Sequence, residues 1–279
     1  MGWQKLAEGA LEKMGVEADA PVSYRLRLGD TRVPANDLIG RTIRLTHEGA
    51  INCRHCGRAT RKSFGQGHCY PCFRSLAACD TCIMSPEKCH YHLGTCREPE
   101  WGEQHCFQPH IVYLANASGL KVGITRQTQT PVRWMDQGAV SALPMLRVSS
   151  RYLAGLIEVA CKAHVADRTN WRAMLKGDVT ALDLAAEKDR LLELVAPELS
   201  SLAERFGEEA IETLDVSPWQ FEYPVTQFPT KIVSHNLDKN PVLEGRLEGI
   251  KGQYLILDTA VINIRKYTAY NVSLETQTG

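Results

Sequence analysis

The chain has 279 residues with 32 basic and 32 acidic side chains, so its formal net charge at pH 7 is zero. Hydrophobic residues make up 44% of the sequence, enough to bury one or more cores, and this length predicts one to three domains. No apolar run approaches the roughly 18 residues of a membrane-spanning helix, and the first residues lack a signal peptide's apolar segment. The sequence therefore argues against helical membrane proteins and predicts a cytoplasmic location, with no membrane partner.

The neutral total conceals charged blocks. Residues 51–97 carry seven Lys or Arg against two acids, and residues 119–176 carry nine against three. Residues 177–222 carry three Lys or Arg against twelve acids. A basic middle can present a nucleic-acid-binding surface, whereas the acidic block is either a solvated face or a docking face for a protein partner.

The first 50 residues are predicted to form an N-terminal module. Residues 3–15 are expected to form a short amphipathic helix. The stretches VSYRLRLGD, from Val22, and RTIRLTHEG, from Arg41, alternate apolar and polar residues and predict two half-buried strands.

A cysteine-rich module follows at residues 51–108. Nine of the ten cysteines of the chain lie there, and without a secretion signal such clustering favours metal over disulfides. In CRHCGRATRKSFGQGHCYPC, two Cys-x-x-Cys pairs stand twelve residues apart, and Gly57 permits the tight turn of the first. Four thiolates leave no open coordination position, so the predicted ion is a structural zinc rather than a catalytic one. The predicted ligands are Cys53, Cys56, Cys69 and Cys72.

A second group of potential ligands follows in CDTCIMSPEKCHYHLGTCREPEWGEQHC, and it offers more than one zinc uses. The preferred ligand set is Cys82, Cys89, His92 and Cys106. Cys89 and His92 have knuckle spacing, and Cys106 lies at the entry to the next module. The rival set is Cys79, Cys82, Cys89 and Cys96. Free buried thiols and an iron–sulfur cluster are the other interpretations.

Residues 109–177 are predicted to form a small mixed core. VYLANASGLKVGITR, from Val112, indicates two short strands joined by an Asn/Ser/Gly turn. TPVRWMDQG predicts a helix that begins at Pro131 and ends before Gly138. Residues 150–166 predict a second helix with one apolar face.

The remaining chain is predicted to contain acidic helices and then strands. Residues 180–213 are expected to be helical with an interruption at Pro197, within a segment that spans 178–222 and ends in a linker. The linker stretch VSPWQFEYPVTQFPT begins at Val216 and extends past the end of that segment. Strands return in a module at 223–279, where they are expected to pair with the N-terminal strands in a small β-barrel-like module. The predicted fold class is therefore α+β, with a zinc-ribbon-like module, a small mixed core and a barrel-like module.

The hairpin is similar to that of the GIY-YIG nuclease superfamily. The triplet IVY, the spacer LANASGL, KVG and a later VRW carry this resemblance over residues 110–176. Two departures stand out: Ile111 replaces the first glycine, and Lys121 replaces the second tyrosine, as in a branch of the superfamily that reads Lys-Ile-Gly. The positions that match the family's functional residues are Tyr113, Gly123, Arg133 and Glu158.

The whole arrangement also resembles a bacterial family of unknown function. The cysteine knuckles, HCYPCF, GTCREPEW and the hairpin carry this resemblance over nearly the full length. It implies an architecture and no particular activity.

Phosphodiester hydrolysis requires a base, charge relief on the phosphate and a divalent ion. Tyr113 is the expected base, with Lys121 lowering its pKa. Arg133 is expected to bind the phosphate and Glu158 to hold Mg²⁺. Each residue also has a structural interpretation: a core aromatic for Tyr113, and solvent-facing charges for the other three.

Three functions stay open from the sequence. The first is a nucleic-acid-acting, Mg²⁺-dependent hydrolase with one or two structural zinc ions. The second is a non-catalytic zinc-containing nucleic-acid-binding protein, because a fold does not determine an activity. The third is a protein-interaction adaptor that docks through the acidic helices.

Overall fold

The computed structural model describes residues 2–166 and 168–278. The strands are β1 (Trp3–Glu17), β2 (Ser23–Leu28), β3 (Thr31–Pro34), β4 (Thr42–Ile51), β5 (His110–Asn116), β6 (Leu120–Arg126), β7 (Ser141–Val148), β8 (Ile211–Thr213), β9 (Trp219–Gln220), β10 (Val242–Lys251), β11 (Tyr254–Leu257), β12 (Val261–Asn263) and β13 (Tyr270–Gln277). The helices are α1 (Tyr70–Ser75), α2 (Thr81–Met84), α3 (Pro99–Cys106), α4 (Val132–Asp136), α5 (Arg151–Lys162), α6 (Trp171–Lys176), α7 (Leu184–Leu194) and α8 (Ala196–Phe206). None of these helices is long and apolar enough to cross a membrane.

The chain is of the predicted α+β class and divides into two compact units. The first unit comprises the chain up to Arg74, the stretch Leu175–Gly177, and the chain from Phe221 onward. The second comprises Ser75–Met174 and Asp178–Gln220. The first four cysteines therefore belong to the first unit, and the other six to the second.

One curled, half-barrel sheet forms the first unit. Its strand order is β12-β11-β10-β4-β13-β1-β2-β3, with antiparallel pairing throughout. The central strands β4 and β1 come from the N-terminal end of the chain, and β10 and β13 from the C-terminal end. The predicted pairing between the two ends is confirmed, and fully buried Leu11, Leu45 and Leu274 contribute to the core of this sheet.

The predicted helix at residues 3–15 is wrong, because this segment is the long strand β1. Its first half pairs with β13 and its second half with β2, and the pairing shifts register between Lys5 and Ala7 and between Glu12 and Gly15. Each bulge adds a residue and breaks the alternation of a regular strand. The bulge between Glu12 and Gly15 moves the next buried position to Met14, so buried residues fall at Ala7, Leu11 and Met14, a spacing of four and three that imitates a helix.

The second unit is built on an antiparallel sheet of order β6-β5-β7-β8, with β9 also paired to β7. The hairpin of β5 and β6 confirms the two predicted strands. The predicted helix near Pro131 is α4, and the helix predicted over 150–166 is α5, which ends earlier, at Lys162. Buried Leu153 and Ile157 of α5 share a hydrophobic cluster with Val112 of β5 and Leu146 of β7.

The acidic segment departs from its prediction in detail. The break between α7 and α8 falls at Val195, and Pro197 lies in the first turn of α8. The first turn of a helix has no intrahelical acceptor for its N–H groups, so a proline is tolerated there. Beyond α8 the chain forms β8, and the predicted linker contributes β9, so both complete the sheet of the second unit.

Candidate active site and cysteine clusters

In the first unit, the four predicted zinc ligands form one tight cluster. The sulfurs of Cys53, Cys56, Cys69 and Cys72 all lie within 4.8 Å of one another. The Cys56 and Cys69 sulfurs are 3.7 Å apart. A zinc tetrahedron with Zn–S bonds of about 2.3 Å has sulfurs about 3.8 Å apart, so the cluster could hold a metal such as zinc.

Short turns present these thiols. A bridge between Asn52 and Ala59 closes the first turn, and Gly57, at φ 71°, donates its N–H to the Cys53 carbonyl at 2.8 Å. The second pair leads into α1, which carries Cys72. Burial raises the pKa of the Cys53 thiol, but the backbone N–H groups around it outweigh burial and lower that pKa to about 6. A thiol of this kind is ready to bind a cation.

In the second unit, three of the four cysteines and histidines in the preferred second set line one small cavity. The cavity is lined by Cys82 from α2, by Cys89 from the loop that follows, and by Cys106 from α3, together with Phe107 and Tyr152. Burial raises the pKa of the Cys82 thiol to about 11. The fourth member, His92, is exposed, and the centroid of its ring lies 6.2 Å from that of the Tyr152 ring.

A carboxylate and a histidine also approach Cys82, since ligand atoms of Asp80, Cys82 and His90 lie within 4.8 Å of one another. These groups already have partners. The Asp80 carboxylate contacts the Arg97 guanidinium at 2.8 Å and His90 Nε2 at 3.3 Å. Nδ1 of His90 lies 2.8 Å from the Thr95 hydroxyl. The trio is therefore a polar network beside the cysteines.

The four residues expected to do chemistry line a single cleft of about 130 Å³ in the second unit. Tyr113 comes from β5, Lys121 from β6, Arg133 from α4 and Glu158 from α5. A further cation, Arg151, lines the same cleft. Three basic side chains thus face one carboxylate, which favours an anionic ligand such as phosphate.

Cross-strand register places Tyr113 directly opposite Gly123. A Cβ atom at position 123 would stand 2.8 Å from both Oη and Cζ of Tyr113. Only glycine therefore lets the tyrosine ring lie across β6, where its edge packs on Trp134 with the ring centroids 5.8 Å apart. This contact gives a physical reason for glycine at position 123.

Gln137, at the end of α4, joins two of the cleft residues. Its side-chain oxygen accepts a hydrogen bond from the Tyr113 hydroxyl at 3.0 Å and another from Lys121 Nζ at 2.7 Å. Burial raises the pKa of Tyr113, and the main opposing cation is Arg133. The net shift of the Tyr113 pKa is therefore upward, because desolvation outweighs the opposing charge, and that charge comes from Arg133 rather than from the expected Lys121.

The helix α5 supplies both Glu158 and Arg151. The Glu158 side chain is 13% exposed and pairs with Lys162 at 3.4 Å. Gly155, between them on the helix, packs so closely on Pro86 that a Cβ atom would approach it to 2.5 Å. Arg151 donates a hydrogen bond to the Ile83 carbonyl at 2.6 Å, and burial lowers its pKa. The helix α2 and the residues that follow it thereby form a wall of the cleft.

Sequence reasoning missed Gln137 and Arg151. A usable signal exists for both. Gln137 follows Arg133 by four residues, and Glu158 follows Arg151 by seven, and both intervals place two side chains on one helix face.

A protein-family model described as a protein of unknown function (DUF2797) matches residues 40–272. The match agrees with the resemblance of the chain to a bacterial family of unknown function. No curated protein and no solved structure matches the chain.

Proposed function

The chain belongs to the DUF2797 family, and we propose that it hydrolyses phosphodiester bonds of nucleic acid in the cleft of the second unit, as a GIY-YIG-like enzyme. One observation carries the proposal: Tyr113, Lys121, Arg133 and Glu158 line one cleft. They come from four different elements of the unit, so their proximity in the sequence does not explain the shared cleft.

The cations account for substrate binding. Arg133 is half-buried beside Tyr113, and its planar guanidinium can make two parallel hydrogen bonds to a phosphate. Lys121 is 4% exposed and is held by Gln137, so it is fixed before a ligand arrives. Fixed donors stabilise the charge that develops on a phosphate without reorganising during the reaction.

Glu158 is the residue that would hold Mg²⁺. Its carboxylate lines the cleft, and one or two carboxylates suffice for this ion because it keeps most of its waters. When bound, Mg²⁺ would supply charge neutralisation at the phosphate. Glu158 also pairs with Lys162, four residues later on α5, at 3.4 Å, and a bound Mg²⁺ would compete with this ammonium for the carboxylate.

Tyr113 orients the attacking group in this proposal. Its hydroxyl is buried and hydrogen-bonded to Gln137, and burial keeps its pKa above the ordinary range. A neutral tyrosine can position a water by accepting or donating a hydrogen bond. Arg133 is the cation that moves the pKa of this hydroxyl toward ionisation.

The test compares wild type with Glu158→Gln and with Glu193→Gln, a matched change at an exposed position of α7. Each is incubated with single- and double-stranded DNA and RNA, with and without Mg²⁺. We expect cleavage by wild type and Glu193→Gln, and loss of cleavage with retained nucleic-acid affinity in Glu158→Gln. Cleavage that persists in Glu158→Gln would overturn the assigned role of Glu158.

The second candidate function is nucleic-acid binding without catalysis. The 1% exposure of Tyr113 favours it, because a buried, protonated phenol is a poor base. Salt-sensitive binding without cleavage by wild type would select this function, since phosphate contacts release counterions. If wild type shows neither cleavage nor salt-sensitive binding, the remaining function is that of a protein-interaction adaptor that docks through α7 and α8.

A further inference from the structure

The cysteines of the second unit converge in a combination that neither predicted set contains. Cys82, Cys89 and Cys106 line one cavity. The Cys82 and Cys106 thiols each interact electrostatically with both Cys89 and Cys96. The sulfur of Cys96 lies 3.5 Å from the Cβ position of Gly102, one helical turn before Cys106 on α3. The thiol of Cys96 is thus packed against α3, the helix that carries Cys106.

We propose that Cys82, Cys89, Cys96 and Cys106 ligate one iron–sulfur cluster. Four cysteine thiolates are the usual ligands of such clusters. The two histidines of the segment are not used as ligands: both ring nitrogens of His90 have hydrogen-bond partners, and the ring of His92 is exposed at the outer side of the cavity residue Tyr152.

The spacing of the thiols separates this site from a zinc site. The four cysteines are separated by six, six and nine residues, without the short knuckles typical of structural zinc. Among the described residues, the groups whose ligand atoms all lie within 4.8 Å include the Cys53 cluster but not these four thiols. A single zinc ion draws its sulfurs close together, whereas a polynuclear cluster lies between its thiolates and holds them further apart.

The surroundings suit a buried anionic cluster. Pro86, Phe107 and Tyr152 line the cavity with apolar surface, which limits the access of water. The Arg151 guanidinium also lines it and offsets the charge of the thiolates. Nε of Arg151 is buried without a hydrogen-bond partner among the described residues, so it is available to a cluster sulfide or thiolate.

Arg151 connects this site to the cleft, since it lines both cavities. The cluster would hold one of the three cations of the cleft in place. This consequence rests on the proposed function, whereas the cluster itself does not.

The experiment is anaerobic purification of the full chain, followed by reconstitution with ferrous iron and sulfide. We expect about four iron and four inorganic sulfide per chain, together with visible sulfur-to-iron charge-transfer absorption. Zinc at the Cys53 site should stay at one equivalent. A wild-type protein that takes up no iron, or that takes up a second zinc in its place, overturns the proposal.

Variants test the ligand set. Cys96→Ser should lose the iron and its absorption. Cys79→Ser, from the rival set of the sequence analysis, and His92→Ala, from its preferred set, should keep both. An unchanged circular dichroism spectrum shows that each variant has folded. Iron retained in Cys96→Ser, or lost in Cys79→Ser or His92→Ala, contradicts the assignment. Because the readouts are iron and absorption, they do not depend on any cleavage activity.

Discussion

Replacement of Gly123 by alanine tests the contact that positions the tyrosine of the cleft. The added Cβ would stand 2.8 Å from both Oη and Cζ of Tyr113, where ordinary contacts begin at 3.4 Å. The tyrosine must therefore move by about 0.6 Å or more. It has little room, because it is 1% exposed and packs against Trp134.

The cost follows from this geometry. Overpacking of a closely packed core typically costs about 1–3 kcal/mol. For a unit of this size, each kcal/mol lowers the unfolding midpoint by about 2–4 °C. Thermal unfolding followed by circular dichroism measures the change. Gly15→Ala, in strand β1 of the first unit, is the control for a strand glycine with space around it, because the nearest side-chain atom lies 3.7 Å from its Cβ position. That control should leave the midpoint unchanged within about 2 °C.

Making Gly123→Ala in a Tyr113→Leu variant isolates the contact between residues 113 and 123. In Tyr113→Leu the two atoms that would lie 2.8 Å from the new Cβ are absent, so Gly123→Ala should cause no further loss of unfolding free energy. The difference between the losses in the two backgrounds is the coupling energy of positions 113 and 123. If Gly123→Ala is as harmless as Gly15→Ala, or if its penalty is the same in both backgrounds, the inferred contact between β5 and β6 is wrong.

Two further predictions concern the zinc cluster and a buried histidine. Cys56→Ser should release one equivalent of zinc by elemental analysis and unfold part of the first unit, because metal binding and folding are coupled; unchanged zinc content would contradict the ligand set. His110 is fully buried, and burial lowers its pKa to about 4, so the folded protein favours the neutral ring. The contribution of neutral His110 to the free energy of unfolding is fully present above pH 6.5. It falls by up to about 3 kcal/mol as the pH is lowered toward 4. Unfolding free energies of wild type and His110→Gln should therefore converge between pH 7 and pH 4, and parallel curves would refute the shift.

The sequence was most informative where spacing alone defines chemistry. The pairs at Cys53 and Cys69 predicted a cluster whose sulfurs the structure brings together. Alternation predicted β2 and β4, and two short apolar stretches joined by an Asn/Ser/Gly turn predicted the hairpin. These features depend on residues close in the chain, so local geometry is sufficient to infer them.

Other features depend on partners that a single strand or helix does not reveal. The bulge between Glu12 and Gly15 gave Ala7, Leu11 and Met14 the spacing of a helix, and only pairing with β13 and β2 makes the segment a strand. The pKa of Tyr113 was predicted in the wrong direction because burial depends on packing from distant elements.

The site residues also divide into those that the sequence identified and those that depend on partners distant in the chain. Tyr113, Lys121, Arg133 and Glu158 were named through a family resemblance, and they line one cleft. Gln137 was overlooked because its role comes from a hydrogen bond to two different strands.

The central claim, that the cleft of the second unit hydrolyses phosphodiester bonds, is tested most directly by the dependence of cleavage rate on Mg²⁺ concentration. With wild type, the rate should be negligible in the presence of a chelator of divalent ions and should rise to saturation as Mg²⁺ is added. With Glu158→Gln, it should remain at the chelated level across the same range. Cleavage that is independent of Mg²⁺, or equal saturation curves for the two proteins, would contradict the account.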